Sequence, residues 1–188
     1  YSLYDVLNPF AALHPNISIR VINKQSNQLY EMLMEGKLDA AFIRSDYTAN
    51  VYHDLVDYTA AYCVTRDPVE LDKLPSMEQV AYQTNEKTIG KIADWWEEYF
   101  GTKLPEPAED VGYIEFAFRS IAEGNKYLLC FLPDNFINEF HLTLTPLLTK
   151  DGKQIMRNSW FIYKKEKNRR AVVDDLIQYV EKNVKIGG

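Results

Sequence analysis

The stretch from Phe10 to Ile43 constrains the fold most, because it carries the punctuation of one complete β–α–β unit. His14-Pro15 closes a helix, and Ile17-Ser18-Ile19-Arg20-Val21-Ile22 alternates with the two-residue period of a half-buried strand. Gln25-Ser26-Asn27 opens a helix whose apolar residues Leu29, Met32 and Leu33 share one face. Gly36 stops that helix as a left-handed residue does, and Leu38 to Ile43 reads as the next buried strand. Parallel sheets built from such units gather a ligand site at the C-terminal ends of their strands. The loops after Ile22 and Ile43 are therefore expected to line a cleft.

The remaining elements repeat the theme. Leu3, Val6, Leu7, Phe10 and Leu13 have helical spacing, with Pro9 predicting a kink or a restart capped by Asn8. Leu55 to Val64 and Gln79 to Tyr82 read as strands. Thr84 or Asn85 caps a helix with Ile89, Ile92, Trp96 and Tyr99 on one face, stopped by Gly101. After the proline-containing loop Lys103 to Asp110 and a short strand, Ile114, Ala117, Phe118 and Ile121 mark another helix. Tyr127 to Leu132 is a buried strand cut off by Pro133. A short helix over Phe136 to Phe140, strands over Leu142 to Leu148 and Ser159 to Tyr163, and a turn at Asp151-Gly152 follow. The amphipathic helix Ala171 to Asn183 ends the chain. The fold class is thus α/β, with two similar βα lobes joined by two crossover strands. Lobe I comprises residues 1–63 plus 163–188, and lobe II residues 64–162.

Composition narrows the function classes. A formal net charge of −6 over 188 residues disfavours a DNA-gripping surface, which needs clustered Lys and Arg. No apolar run approaches a membrane span. The first residue is Tyr1 rather than Met, so the sequence is expected to be a fragment or a processed product. Cys63 and Cys130 lie inside apolar runs and are expected to be buried, reduced core residues. His14, His53 and His141 are isolated from other ligands, so no metal and no cofactor is expected. The basic run Lys164 to Arg170 and the pairs Glu97-Glu98 and Asp174-Asp175 read as solvated faces. No Ser-His-Asp order, phosphate loop or paired carboxylate has a context that supports an enzyme.

Three ordered segments resemble one family. Phe10-Ala11-Ala12-Leu13-His14-Pro15-Asn16-Ile17 resembles the opening "F…P-x-hydrophobic" segment of LysR-type transcriptional regulator effector domains. Leu29 through Gly36-Lys37-Leu38-Asp39-Ala40-Ala41-Phe42 resembles their "L…G-x-L-D-hydrophobic" signature. Ala122-Glu123-Gly124-Asn125 followed by Leu129-Cys130-Phe131-Leu132-Pro133 resembles their "G-x-G-hydrophobic…L-P" segment, with Asn125-Lys126-Tyr127 replacing the second-glycine region. The family's usual first strand has no counterpart ahead of the first helix. The resemblance implies a two-lobed periplasmic-binding-protein-like (type 2) fold that binds a small-molecule effector between its lobes, in the cytoplasm and without a membrane. It implies a homodimer of effector domains, with tetramers possible at full length. DNA contact would come only from an N-terminal helix-turn-helix absent from this sequence. The pairing surface would set the first helix and the Ile17 to Ile22 strand against the Ile114 to Ile121 helix of a second copy.

In such a cleft, ligands are held by hydroxyls, amides and backbone N–H groups where loops run into helices. The corresponding residues are Ser2, Ser26 and Asn27, Gln83 and Thr84, and Tyr113 beside Gly112. Arg44 and Ser45 follow the strand that ends at Ile43. Helix capping is the competing role for Ser26 and Thr84, a surface ion pair for Arg44, and packing for Tyr113. The alternative function is a free solute-binding protein of a transporter; an enzyme on the same fold, such as a lyase or deaminase, has no acid–base set to support it.

Overall fold

A computed structural model describes residues 3–184. The chain divides into two compact units, Tyr1–Asp57 with Asn158–Gly188, and Tyr58–Arg157. It passes from unit 1 to unit 2 inside strand β2 (Val51–Thr65) and returns inside β7 (Met156–Lys164). The lobe boundaries expected at 63/64 and 162/163 fall within the same two strands.

Unit 1 contains α1 (Leu3–Leu13), α2 (Ser26–Met34), β1 (Ala41–Arg44) and α5 (Ala171–Asn183). β1 runs antiparallel to β7, with Ala41 opposite Ile162 and Arg44 opposite Ser159. The alternation of these strands sends side chains to two cores. Phe161 packs with Val6 of α1 and with Val173, Ile177 and Val180 of α5. Its neighbour Ile162 packs with Ile43 and with Leu33 of α2. β7 is therefore covered on both faces, which is why it reads as a continuous apolar run at Trp160-Phe161-Ile162-Tyr163. α2 ends in a Schellman turn: Gly36 has φ +76°, its N–H donates to Leu33 O at 3.0 Å, and Lys37 N–H donates to Met32 O at 2.9 Å.

Unit 2 is built on β5 (Lys126–Leu132), which pairs antiparallel with β2 and parallel with β3 (Glu78–Tyr82). β4 (Glu109–Val111) extends the parallel side next to β3, and β6 (Thr143–Pro146) pairs with β2. Helix α3 (Glu86–Phe100) covers one face, packing Ile92, Trp95 and Trp96 on Tyr127, Leu129 and Phe131. Helix α4 (Ile114–Glu123) covers the other, packing Ala117, Phe118 and Ile121 on Leu128, Cys130 and Leu132. α3 starts at Asn85, whose side-chain oxygen accepts the Thr88 N–H at 2.9 Å, and stops at Gly101 with φ +72°. Both ends match the residues that the sequence singles out.

Several expectations change. Ile17 to Ile22 forms no strand; among the described residues no neighbouring strand supplies it with a ladder, and alternation alone cannot. Helix α1 runs through Pro9 without restarting at Asn8, because Val6 and Phe10 on either side are anchored in the unit 1 interior. Phe10 lies 5.8 Å from the Tyr179 ring of α5. Phe136 to Phe140 is a turn, not a helix: the Asn138 side chain accepts the Leu142 N–H at 2.8 Å and donates to Leu142 O at 2.7 Å. That local bonding outcompetes helix formation. In α3 the buried face is carried by Trp95 together with Trp96, while Ile89 is half exposed.

The two cysteines occupy opposite faces of the unit 2 sheet, Cys63 beneath α3 and Cys130 beneath α4. Burial pushes the Cys63 thiol up to about 12 and raises that of Cys130 further. Neither is a thiolate at neutral pH, and no disulfide can span the sheet between them. A thiol reagent such as Ellman's is expected to titrate neither cysteine in the native protein and both in denaturant; a fast native reaction would contradict this burial.

Where β4 and β5 begin, Glu109 Oε2 accepts from Ser120 Oγ at 2.6 Å and from Lys126 Nζ at 3.1 Å. The Ser120 bond first, then Lys126, holds the Glu109 carboxyl below its usual range. A carboxylate depressed in the folded state contributes stability above its unfolded pKa and loses it as pH falls through the folded value. Glu109→Gln should therefore lower stability at pH 7 by no more than about 1 kcal/mol, since the pair is partly exposed. Urea titrations should show the gap from wild type narrowing as the pH falls below the usual carboxylate range.

Candidate functional site

In unit 1 the candidate residues converge where α2 begins and β1 ends. Gln25 is the residue that caps α2, and its N–H donates to Gln28 Oε1 at 3.2 Å. Ser26 is the first helical residue and is buried; its Oγ accepts the Arg44 N–H at 2.9 Å. Ser26 is thus not a cap but a pin that ties the helix start to the strand end. Arg44 itself is exposed, and Asn27 is half-buried beside it along the chain start of α2. The N–H groups of this first turn have no intrahelical acceptor, and with the helix dipole they favour an anion. Arg44, whose backbone N–H is bonded to this helix start, carries an exposed guanidinium of the same preference.

The loop after Arg44 is held from three sides. Ser45 takes a left-handed conformation (φ 72°), is buried, and its N–H donates to Asn158 O at 2.8 Å. Trp160 Nε1 donates to Asp46 Oδ1 at 2.9 Å, and the Tyr30 hydroxyl of α2 donates to Ala49 O at 2.7 Å. His53 stands edge-on to Trp160 with ring centroids 4.9 Å apart. Ser45 therefore shapes the loop through its backbone, and Arg44 is the side chain that the loop presents.

In unit 2 the parallel strands β3 and β4 deliver the chain to the N-termini of α3 and α4. Gln83 is exposed, and its N–H donates to Gly112 O at 3.3 Å, which joins the two strand ends. Thr84 is half-buried and precedes the cap Asn85, so its hydroxyl is not consumed by capping. Tyr113 stands at the start of α4 with 71% exposure and its ring 6.2 Å from Phe116. The structure gathers Ser26, Asn27, Arg44 and Ser45 in unit 1 and Gln83, Thr84 and Tyr113 in unit 2. Ser2 lies outside the described residues.

Sequence reasoning missed a buried cation. Arg157 is 6% exposed; its Nη1 donates to Thr88 Oγ1 at 3.4 Å in the first turn of α3, and its guanidinium lies 5.1 Å from the Phe131 ring centroid. A permanent positive charge next to a helix N-terminus reinforces the anion preference there. Met156-Arg157-Asn158 has no motif that would have flagged it, because its partners are 69 and 26 residues away in sequence.

Among the described residues, no group of three or more His, Cys, Asp or Glu is placed to hold a metal ion, and no helix is long and apolar enough to cross a membrane.

Comparison with known proteins places this architecture in a family. Residues 1–185 match the family described as LysR substrate binding domain. The chain is 21% identical over 182 residues to an uncharacterized HTH-type transcriptional regulator, YraN, of Bacillus subtilis (strain 168). That match covers 96% of this chain and 62% of the relative, so the chain spans under two thirds of that relative's length. Among solved structures it is similar to the C-terminal domain of a probable LysR family regulator from Rhodococcus sp. RHA1, at 19% identity, 95% and 91% coverage and a TM-score of 0.74. It is also similar to the effector binding domain of QuiR in complex with shikimate, at 9% identity, 98% and 90% coverage and a TM-score of 0.74. With the family matched across nearly its whole length and the same fold in both structures, the chain belongs to the LysR substrate-binding domain family.

Proposed function

We propose that this chain is the effector-sensing domain of a LysR-type DNA-binding transcriptional regulator, and that its effector is a small anionic metabolite. The observation that carries the reading is the pair of helix N-termini at strand ends. α2 starts beside Ser26, Asn27 and Arg44, and α3 starts beside Thr84 with Arg157 buried next to it. Both offer backbone N–H groups and an arginine bonded at the helix start, through its backbone at Arg44 and its guanidinium at Arg157, which is the chemistry a carboxylate or phosphate ester needs. The shikimate bound by QuiR is a small carboxylate, which supports that ligand class. DNA contact would belong to a helix-turn-helix elsewhere in the regulator and the protein would work in the cytoplasm.

The same reading proposes a homodimer. Tyr4 and Leu13 of α1 and Ile19 of the segment after it are 57%, 68% and 39% exposed, and Phe116 of α4 is 53% exposed. Apolar side chains of this size left in water favour a covering surface. Phe116→Glu should shift the protein toward monomer in light scattering; an unchanged mass would remove α4 from the interface. A transporter's solute-binding protein would share the fold, and a native reading frame with an export signal instead of a helix-turn-helix would favour it.

Thermal-shift screening against small carboxylates and phosphate esters tests the ligand class, since a ligand that binds only the native state raises its melting temperature. For a hit, Ser26→Ala with Thr84→Ala should weaken binding about tenfold or more by calorimetry. Unchanged affinity would remove both residues from the site. Ser26→Ala alone should also cost about 1 kcal/mol in stability, because it strips the Arg44 N–H of its acceptor. Thr84→Ala, away from any cap bond, should cost little.

A further inference from the structure

A groove of about 800 Å³ opens in unit 2, with α3 on one side and the chain leaving β6 on the other. None of the candidate effector residues lines it. Its volume is that of a small-molecule site, and its construction is rigid. The Trp95 indole N–H donates to Leu148 O at 3.0 Å, which locks the two walls together. The Tyr99 ring stacks on Trp95 with centroids 5.2 Å apart and planes at 27°, and its hydroxyl donates to Asp72 Oδ1 at 3.0 Å. On the facing wall Thr149 O and N–H clasp a tight turn: Lys153 O accepts at 2.8 Å and Gly152 N–H donates at 2.9 Å, with Gly152 at φ +79°.

Despite this fixation, Tyr99 and Leu148 remain 44% and 45% exposed, one on each wall. The Tyr99 ring is held by its stacking and its hydroxyl bond, and the Leu148 backbone by the Trp95 bond, so two large apolar surfaces on fixed walls can take a flat ring with little ordering of the aromatic one. Among the lining residues one is an anion and one a cation, Glu98 and Lys150, both exposed, while the Asp72 carboxylate accepts the Tyr99 hydroxyl bond. Opposite charges on one rim complement a ligand that carries both. The chain's net charge of −6 disfavours a ligand with negative charge alone at a site without clustered cations.

We propose that this groove is a second small-molecule site, for an aromatic ampholyte of the size and charge of an aromatic α-amino acid. The ring lies against Tyr99 and Leu148, the carboxylate faces Lys150 and the ammonium faces Glu98. The site belongs to unit 2 alone and does not depend on the effector reading above.

Calorimetry of the whole chain with L-phenylalanine, benzoate and phenethylamine tests it. Saturable binding of L-phenylalanine is expected, with benzoate and phenethylamine each weaker by about fivefold or more because each satisfies one rim charge. Glu98→Gln and Lys150→Gln, both at exposed positions, should each weaken L-phenylalanine by a similar factor while circular dichroism stays native. Absence of saturable heat at millimolar L-phenylalanine would overturn the proposal. So would binding that is indifferent to both rim substitutions. Loss of the heat in Thr84→Ala, with both rim variants unaffected, would reassign it to the α3 N-terminus and likewise overturn the second site.

Discussion

The burial of β5 from both faces and both edges is the constraint on which unit 2 depends. Tyr127 to Leu132 are each no more than 5% exposed, and successive residues feed two different cores. β2 pairs with β5 along Tyr127 to Leu132 on one edge, and β3 pairs with Lys126 to Leu128 on the other. Each buried apolar side chain of this size contributes about 1.5–3 kcal/mol, so this short run anchors both helices of unit 2. Because β3 pairs parallel to β5, its C-terminal end must release the chain toward a crossover helix. That geometry is what sets Gln83, Thr84 and the start of α3 at the strand ends.

Unit 1 solves the same problem with less sheet. β7 is covered by α1 and α5 on one face and by α2 on the other, and β1 lies along it for only four residues. The short strand is compensated by specific bonds: Ser26 to Arg44, Trp160 to Asp46 and Tyr30 to Ala49. A loop fixed in this way presents Arg44 without having to order it on binding, and the entropy that a mobile loop would lose is already absent. Function and stability thus share a residue at Ser26, whose hydroxyl closes the helix–strand junction beside the proposed anion site.

Much of the fold was legible in the residues. Gly36 and Gly101 mark helix ends because their left-handed backbone is costly for other residues, and both take it here. Asn85 was a readable cap for the same kind of local reason. Phe136 to Phe140 was misjudged because Asn138 bonds locally to Leu142, but two other misjudged elements have a fate that lies with a distant partner. Ile17 to Ile22 has the alternation of a strand and no ladder among the described residues, whereas Pro9 should interrupt a helix that packing on α5 keeps whole. Arg157 and the groove beside Trp95 carried no sequence signal, since each is assembled from segments far apart in the chain.

What the sequence by itself determined is the punctuation of α2 and α3, the buried strand Tyr127 to Leu132, and a family resemblance carried by Phe10 to Ile17 and Leu29 to Phe42. These are local properties of backbone freedom, capping and periodicity, and a linear reading contains them. Only the tertiary structure decided that Ser26 is a pin rather than a cap, that Cys63 and Cys130 face away from each other, and that Arg157 lies beside the α3 N-terminus. Those facts depend on strand register and on which helix covers which face, and such pairings are chosen by packing over the whole unit rather than by any segment alone.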